Sequence, residues 1–356
     1  MGVAGLLIQY ALLAVVVVVA AQIAGALVDE FDQRTKISGA LIGGILLAAI
    51  TSLPEFITSI VSTTIYNQPG LAFGNIFGSN FFNLVILAVL DLYFLRKYLY
   101  NKIQDLTKVM NLVNITYFVV LLPFVFNIFL NTDVFGPQLD NQFFFIVTNA
   151  TLLGFSLMSV TIMVLYFLSA RSLHLGGSQS EEEDDDADEP GRFGRLSQRT
   201  LVGLFAVTAV VLIAGAYFLT GTTNDIAIQT GLNASFVGAL FLGIATSLPE
   251  LASVYTLVKL GNFNAAAGGI IGSNMLNFSI IAVVDAFVDV NVISLITDDP
   301  LVSSNALTLL VLGLINGIIL LLAMNRKVRK KPTLFYAVPS VLIITNYLAY
   351  LVLSFV

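Results

Sequence analysis

The pentapeptide TSLPE occurs twice, at 51–55 and 246–250, each time inside an apolar stretch. A carboxylate is costly in such surroundings, and a proline removes a backbone N–H and pushes open the turn before it. Pro54 deprives the carbonyl of Ile50 of its helical partner, and Pro249 does the same to Ala245. Carbonyls freed at bilayer depth are tolerated where they face a cavity or an ion. Thr51 and Ser52 precede Glu55 by one helical turn, as Thr246 and Ser247 precede Glu250, so hydroxyls and carboxylate share a face. A second motif follows each: GNIFGSNFFN at 74–83 and GGIIGSNMLN at 268–277. There Ser79 and Asn83 stand one turn apart, as do Ser273 and Asn277, while Gly74, Gly78, Gly268, Gly269 and Gly272 allow close helix approach. Pooled, these residues offer only oxygen ligands, which suit hard cations such as Ca²⁺ and Na⁺ and suit zinc or copper poorly. Two unpaired carboxylates at the bilayer centre cost roughly 5–7 kcal/mol even on the lenient insertion scale. No Lys or Arg lies in the middle of an apolar span to offset them, Lys259 falling at the very end of one, so a cation or protons must.

The elements that position these motifs are membrane helices. Of 356 residues, 57% are hydrophobic and 11% charged, and the mean hydropathy is +0.92, far from the balance of a soluble domain. Stretches long enough to span fall near 5–28, 37–65, 71–95, 109–131, 142–169, 200–220, 234–260, 264–288, 301–324 and 333–355. Strand alternation is missing, so the predicted fold class is an all-α polytopic membrane protein with ten transmembrane helices. The first stretch lacks a basic leader and reads as a true helix, not a signal peptide. All 16 Lys and Arg fall in alternate loops, from Arg34 and Lys36 to the cluster at 326–331. The positive-inside rule then places those loops in the cytoplasm and both termini outside the cell membrane.

Each TSLPE falls in the second helix of a five-helix set and each GSNxxN in the third. Five is odd, so the sets must lie in opposite orientations, an inverted repeat with its site near the midplane. The expected units are residues 1–169, an acidic cytoplasmic linker at 170–199, and residues 200–356. The linker holds EEEDDDADE at 181–189, which dominates the net charge of −6. It lacks the spacing and glycine of an EF-hand loop and reads as a solvated connector; a calcium-sensing patch is the alternative. Cysteine is absent, and the single histidine, His174, borders this polar stretch as a weak ligand candidate. Asp91 and Asp285, late in the two third helices, are left outside the site as interfacial residues.

The doubled TSLPE and GSNxxN pattern resembles the sodium/calcium exchanger branch of the cation/Ca²⁺ antiporter superfamily, across essentially all the spans. The resemblance implies alternating access, with Ca²⁺ and Na⁺ competing for one central metal site. It makes Glu55 and Glu250 the central calcium ligands and gives Thr51 and Thr246 backbone-oxygen roles. Ser52, Ser79, Ser247 and Ser273 would form flanking sodium sites, and Asn83 and Asn277 would complete the central ring. The first and sixth helices would slide as a gate against the rest. Many such exchangers carry aspartate where this chain has Asn277, so its site has formal charge −2 and not −3. Proton-coupled relatives have only such neutral partners, which keeps H⁺ as the alternative counter-ion.

The rival reading of the glutamates is a pair of protonated groups bonded between helices; the serines and asparagines could pack interfaces. A cation channel would need its own pore axis. A membrane enzyme would need a nucleophile, metal triad or cofactor motif, and the sequence contains none. The partners expected are ions and lipid, with no cofactor, nucleic acid or obligate protein partner.

Overall fold

Helix ends in this chain are marked by local chemistry. Ser197 caps Gln198–Thr230 (α6) by accepting from Thr200 N, and Asn233 caps the helix starting at Ala234 by accepting from Ser235 N and Phe236 N. Asn262 caps Phe263–Phe287 (α8) through Ala265 N. Gly231 and Gly261, with φ of +68° and +90°, close the preceding helices in the left-handed conformation that glycine adopts without strain. The computed structural model describes residues 2–35, 50–103, 106–131, 150–152, 155–177, 193, 196–288, 292, 295, 300–326 and 334–355. Its other long elements are Val3–Thr35 (α1), Leu53–Thr64 (α2), Pro69–Tyr93 (α3), Thr107–Asn131 (α4) and Leu157–Gly177 (α5). Ala234–Leu260 (α7), Pro300–Asn325 (α9) and Leu334–Phe355 (α10) complete the set.

Among the described residues eight helices are long and apolar enough to cross a membrane: α1, α3, α4, α6, α7, α8, α9 and α10. The first part of the span expected at 37–65 lies outside the described residues, and the apolar part of α5, Leu157–Leu173, is shorter. The span expected at 142–169 lies outside the described residues up to 149, and its described part needs correction. Thr151–Leu152 and Phe155–Ser156 pair as two short antiparallel strands, and the helix begins only at Leu157 and runs on to Gly177. Ser156 fixes that start: its hydroxyl accepts from Ser159 N at 3.2 Å, and its own N–H goes to Asp285 Oδ2 at 2.7 Å. The span expected at 200–220 is also longer, because the polar run 220–230 stays helical. Thr220, Thr222, Thr223 and Thr230 return their hydroxyls to carbonyls one turn back, so the run hides its polarity within the helix.

α1 packs along α6, and this pair rests on the motif helices, α1 against α7 and α6 against α2. The outer faces of the pair are apolar and exposed, as at Leu12, Val15, Val207 and Val210, the pattern a lipid-facing surface requires. α3 lies at the centre, in contact with α2, α7, α8, α9 and α10. It crosses α7 backbone to backbone. A Cβ on Gly78 would stand 2.5 Å from Ala239 Cα, and one on Gly74 would collide with Ser235 O. The expected close approach at Gly268, Gly269 and Gly272 is not met in the same way. A Cβ there would meet only Leu106 and Leu173 side chains, at 3.4–3.9 Å, or nothing within 4 Å.

Candidate functional site

The two prolines act differently on their helices. At Pro54 the chain turns at Ser52 (φ −89°, ψ 9°) and α2 restarts at Leu53, with the proline in its first turn. Pro249 instead sits inside the continuous segment Gly243–Leu260 of α7. A π-helical turn, Gly238–Leu242, precedes that segment, and Tyr10 of α1 donates to the carbonyl of Phe241 within it at 2.8 Å. Single π turns embedded in α-helices recur at functional sites.

These breaks bring the motif residues into one buried layer. Glu55, Ser52, Ser79, Asn83, Glu250, Thr246, Ser247, Ser273 and Asn277 are all buried, and Thr51 is half-buried. Ser52 Oγ donates to Ser273 Oγ at 3.4 Å, and Ser273 Oγ reaches Glu250 Oε1 at 3.5 Å, so the first TSLPE meets the second GSN. In the mirrored contact Ser79 Oγ lies 3.4 Å from Thr246 Oγ1, joining the first GSN to the second TSLPE. Through Ser52, one turn before Glu55, and Ser273, which reaches Glu250, the two carboxylates belong to one connected layer. Thr246 joins it through Asn75, its hydroxyl lying 2.8 Å from Leu242 O and 3.3 Å from Asn75 Oδ1. Among the described residues both carboxylate oxygens of Glu55 lack a hydrogen-bond partner, as do Glu250 Oε2, Ser247 Oγ, Asn83 Oδ1 and both amide atoms of Asn277. No cluster of three or more His, Cys, Asp and Glu occurs among the described residues. The donor set is therefore two carboxylates plus neutral oxygens.

Three asparagines outside the sequence-derived set take part. Asn80 Nδ2 donates to Asn274 O and Asn274 Nδ2 donates to Asn80 O, each at 3.1 Å. A reciprocal pair of this kind is what a two-fold relation between α3 and α8 requires. Both residues occupy the same place in the repeated GSN, so the signal was present. Asn75 is the third; its counterpart is Gly269, and the repeat gave it no prominence.

Asp91 and Asp285 stand apart from this layer. Tyr336 OH and Ser340 Oγ donate to Asp91 at 2.6 and 2.7 Å, while Ser156 N and Val292 N donate to Asp285 at 2.7 and 3.2 Å. Asp285 thus takes the N–H of the residue just before α5, where a helix N-terminus favours an anion, whereas Asp91 is held by two side-chain hydroxyls from the first two turns of α10.

Fold and site together define an integral multi-pass membrane protein with an oxygen-lined polar centre. The profile of the sodium/calcium exchanger protein family matches residues 5–177 and 200–356, nearly the whole chain, and the protein belongs to that family. The uncharacterized membrane protein MJ0091 of Methanocaldococcus jannaschii is 25% identical over 252 residues, covering 69% of this chain and 70% of its own. The inner membrane protein YrbG of Escherichia coli is 25% identical over 252 residues, with 68% and 67% covered. The fold is shared with the H⁺/Ca²⁺ exchanger CAX at a TM-score of 0.60 and 14% identity, over 98% of this chain and 90% of that one. It is also shared with the sodium-calcium exchanger NCX_Mj at a TM-score of 0.50 and 18% identity, over 97% and 98%.

Proposed function

We propose that the protein exchanges Ca²⁺ for Na⁺ across the membrane by alternating access at one site shared between its two halves. The observation that carries this reading is the buried layer in which two carboxylates face amide and hydroxyl groups with so many oxygens unpartnered among the described residues. Each such group costs about 1–3 kcal/mol when left unpaired, more when charged. One divalent cation relieves several of them at once and neutralises both carboxylates.

In this mechanism Glu55 and Glu250 ligate Ca²⁺ directly. Thr51, at the break before Pro54, and Thr246, one turn before Glu250, contribute backbone oxygens, and Asn83 and Asn277 complete the ring. Ser52, Ser79, Ser247 and Ser273 serve Na⁺ on either side of the centre. The reciprocal Asn80–Asn274 pair supports the pairing of the two GSN helices in an inverted repeat. On this reading the halves are 1–169 and 200–356 with ten spans, and the positive-inside rule puts the linker 170–199 in the cytoplasm and both termini outside. α1 and α6 pack on the very helices that bear the glutamates, so sliding of this pair exposes the site to one side at a time. Proton coupling is the second reading. Asn277 favours it, because the remaining two carboxylates can take up two protons for each Ca²⁺ released. The fold likeness to the H⁺/Ca²⁺ exchanger agrees with it.

The test is Ca²⁺ uptake by proteoliposomes carrying an outward Na⁺ gradient, then an outward H⁺ gradient. Uptake driven by Na⁺ alone is expected; uptake driven by H⁺ alone selects the second reading. Flux indifferent to both gradients contradicts antiport.

A further inference from the structure

Asn75 is buried where three motif helices meet, and all of its amide is in use. Its Nδ2 donates to Thr58 Oγ1 at 2.8 Å, Ser59 Oγ at 3.0 Å and the carbonyl of Glu55 at 3.3 Å. Its Oδ1 accepts from Thr246 Oγ1 at 3.3 Å. The orientation of the amide is fixed by its neighbours. The Glu55 carbonyl can only accept, and the Thr58 hydroxyl spends its proton on the carbonyls of Pro54 at 2.8 Å and Glu55 at 3.1 Å, so toward Asn75 both act as acceptors and face its Nδ2. One side chain of α3 therefore ties the first turn of α2, immediately past the proline break, to the residue that opens the second TSLPE.

The consequence lies in what Asn75 leaves alone. It holds the backbone of Glu55 while both carboxylate oxygens of that residue remain without a partner among the described residues. The matching position in the other half, among the described residues, offers no such tie. Gly269 occupies the matching place in GGIIGSNMLN, it is exposed, and a Cβ there would meet nothing within 4 Å.

We propose that Asn75 is a positioning residue that presets Glu55 for the cation, so that of the two glutamates Glu55 is the fixed ligand and Glu250 the adjustable one. The inference rests on the calcium-binding reading above, and concerns affinity without requiring any particular counter-ion. Preorganised ligands lower the reorganisation needed on binding, so removing the amide is expected to weaken affinity more than it slows turnover.

The experiment measures ⁴⁵Ca²⁺ binding to the purified full-length protein in detergent, and the calcium dependence of uptake in proteoliposomes. Asn75→Ala is expected to raise the calcium Kd and the uptake KM about tenfold, the equivalent of one or two lost hydrogen bonds, with maximal rate within about twofold. Asn75→Ser, which keeps a short donor, is expected to fall between Ala and wild type. Gly269→Ala is expected to change neither quantity. Unchanged Kd in both Asn75 variants overturns the proposal. So does loss of folded protein in both, because a residue needed only to hold α2 against α3 would behave that way. If wild type binds calcium but no gradient drives uptake, antiport fails while the binding measurement still decides the role of Asn75.

Discussion

Around Glu55 a side chain holds the backbone while the carboxylate has no hydrogen-bond partner among the described residues; around Glu250 a side chain reaches the carboxylate, and among the described residues none bonds to the backbone carbonyl. Asn75 holds the Glu55 carbonyl, whereas Ser273 reaches Glu250 Oε1. The asparagines differ in the same sense. Asn83 Nδ2 donates to Asn274 Oδ1 at 2.9 Å, but in the mirrored position Asn277 Nδ2 and Asn80 Oδ1 both lack partners among the described residues. The helix crossings follow suit, with Gly74 and Gly78 pressed against the α7 backbone and Gly268, Gly269 and Gly272 loosely surrounded. A repeated motif can duplicate polar residues without duplicating their support. One half of a site can then be rigid while the other adapts.

The largest effect that would break this comparison is steric. Gly78→Ala puts a methyl 2.5 Å from Ala239 Cα, a backbone atom that cannot give way. It is expected to destabilise the folded protein by about 3 kcal/mol, the upper range for overpacking. The mirror change Gly272→Ala meets only Leu173 Cδ1 at 3.4 Å and gains up to about 1 kcal/mol in helix propensity. Thermal unfolding in detergent should therefore separate two substitutions that the repeat makes equivalent. Equal melting temperatures would mean that the α3–α7 crossing is no tighter than its counterpart.

How much of this was legible beforehand depends on where the cause sits. Span positions follow from hydropathy, which is local, and the repeated TSLPE and GSNxxN led to a buried polar layer around Glu55 and Glu250. The start of α5 was not legible, because it depends on Asp285, far along the chain, taking the N–H of Ser156. The length of α6 was obscured by threonines whose hydroxyls turn back onto their own helix. Asn75 was hidden for the opposite reason: the repeat breaks at that position, and a search guided by what recurs passes over what does not.

A smaller effect sharpens the comparison on the Glu250 side. Two carboxylates balance one Ca²⁺ or two monovalent ions, so wild-type exchange is expected to be electroneutral. A third Na⁺ would leave a net charge in a low-dielectric site, at a cost of several kcal/mol. Asn277→Asp supplies a third carboxylate in the buried layer and is expected to make calcium uptake respond to membrane potential. Uptake measured at two clamped potentials checks this, and a wild type that already moves net charge would contradict the charge count.

The smallest effect is expected from the linker. Deleting 178–190, which removes the acidic run at 181–189, should leave the exchange rate within about twofold of wild type, because nothing in the sequence of the run matches a defined ion-binding loop. A changed calcium threshold with intact maximal rate would assign the run a regulatory part.

The most direct measurement of the central claim is calcium binding and gradient-driven calcium uptake in Glu55→Gln and Glu250→Gln, each beside wild type. Both variants keep the shape of the side chain and remove one of the two charges in the buried layer. The account predicts that each remains folded and that each loses uptake, because one carboxylate cannot neutralise a divalent cation. It further predicts that Glu55→Gln loses more calcium affinity, since it removes the preset ligand. Uptake retained at ordinary calcium concentrations in either variant would contradict the account.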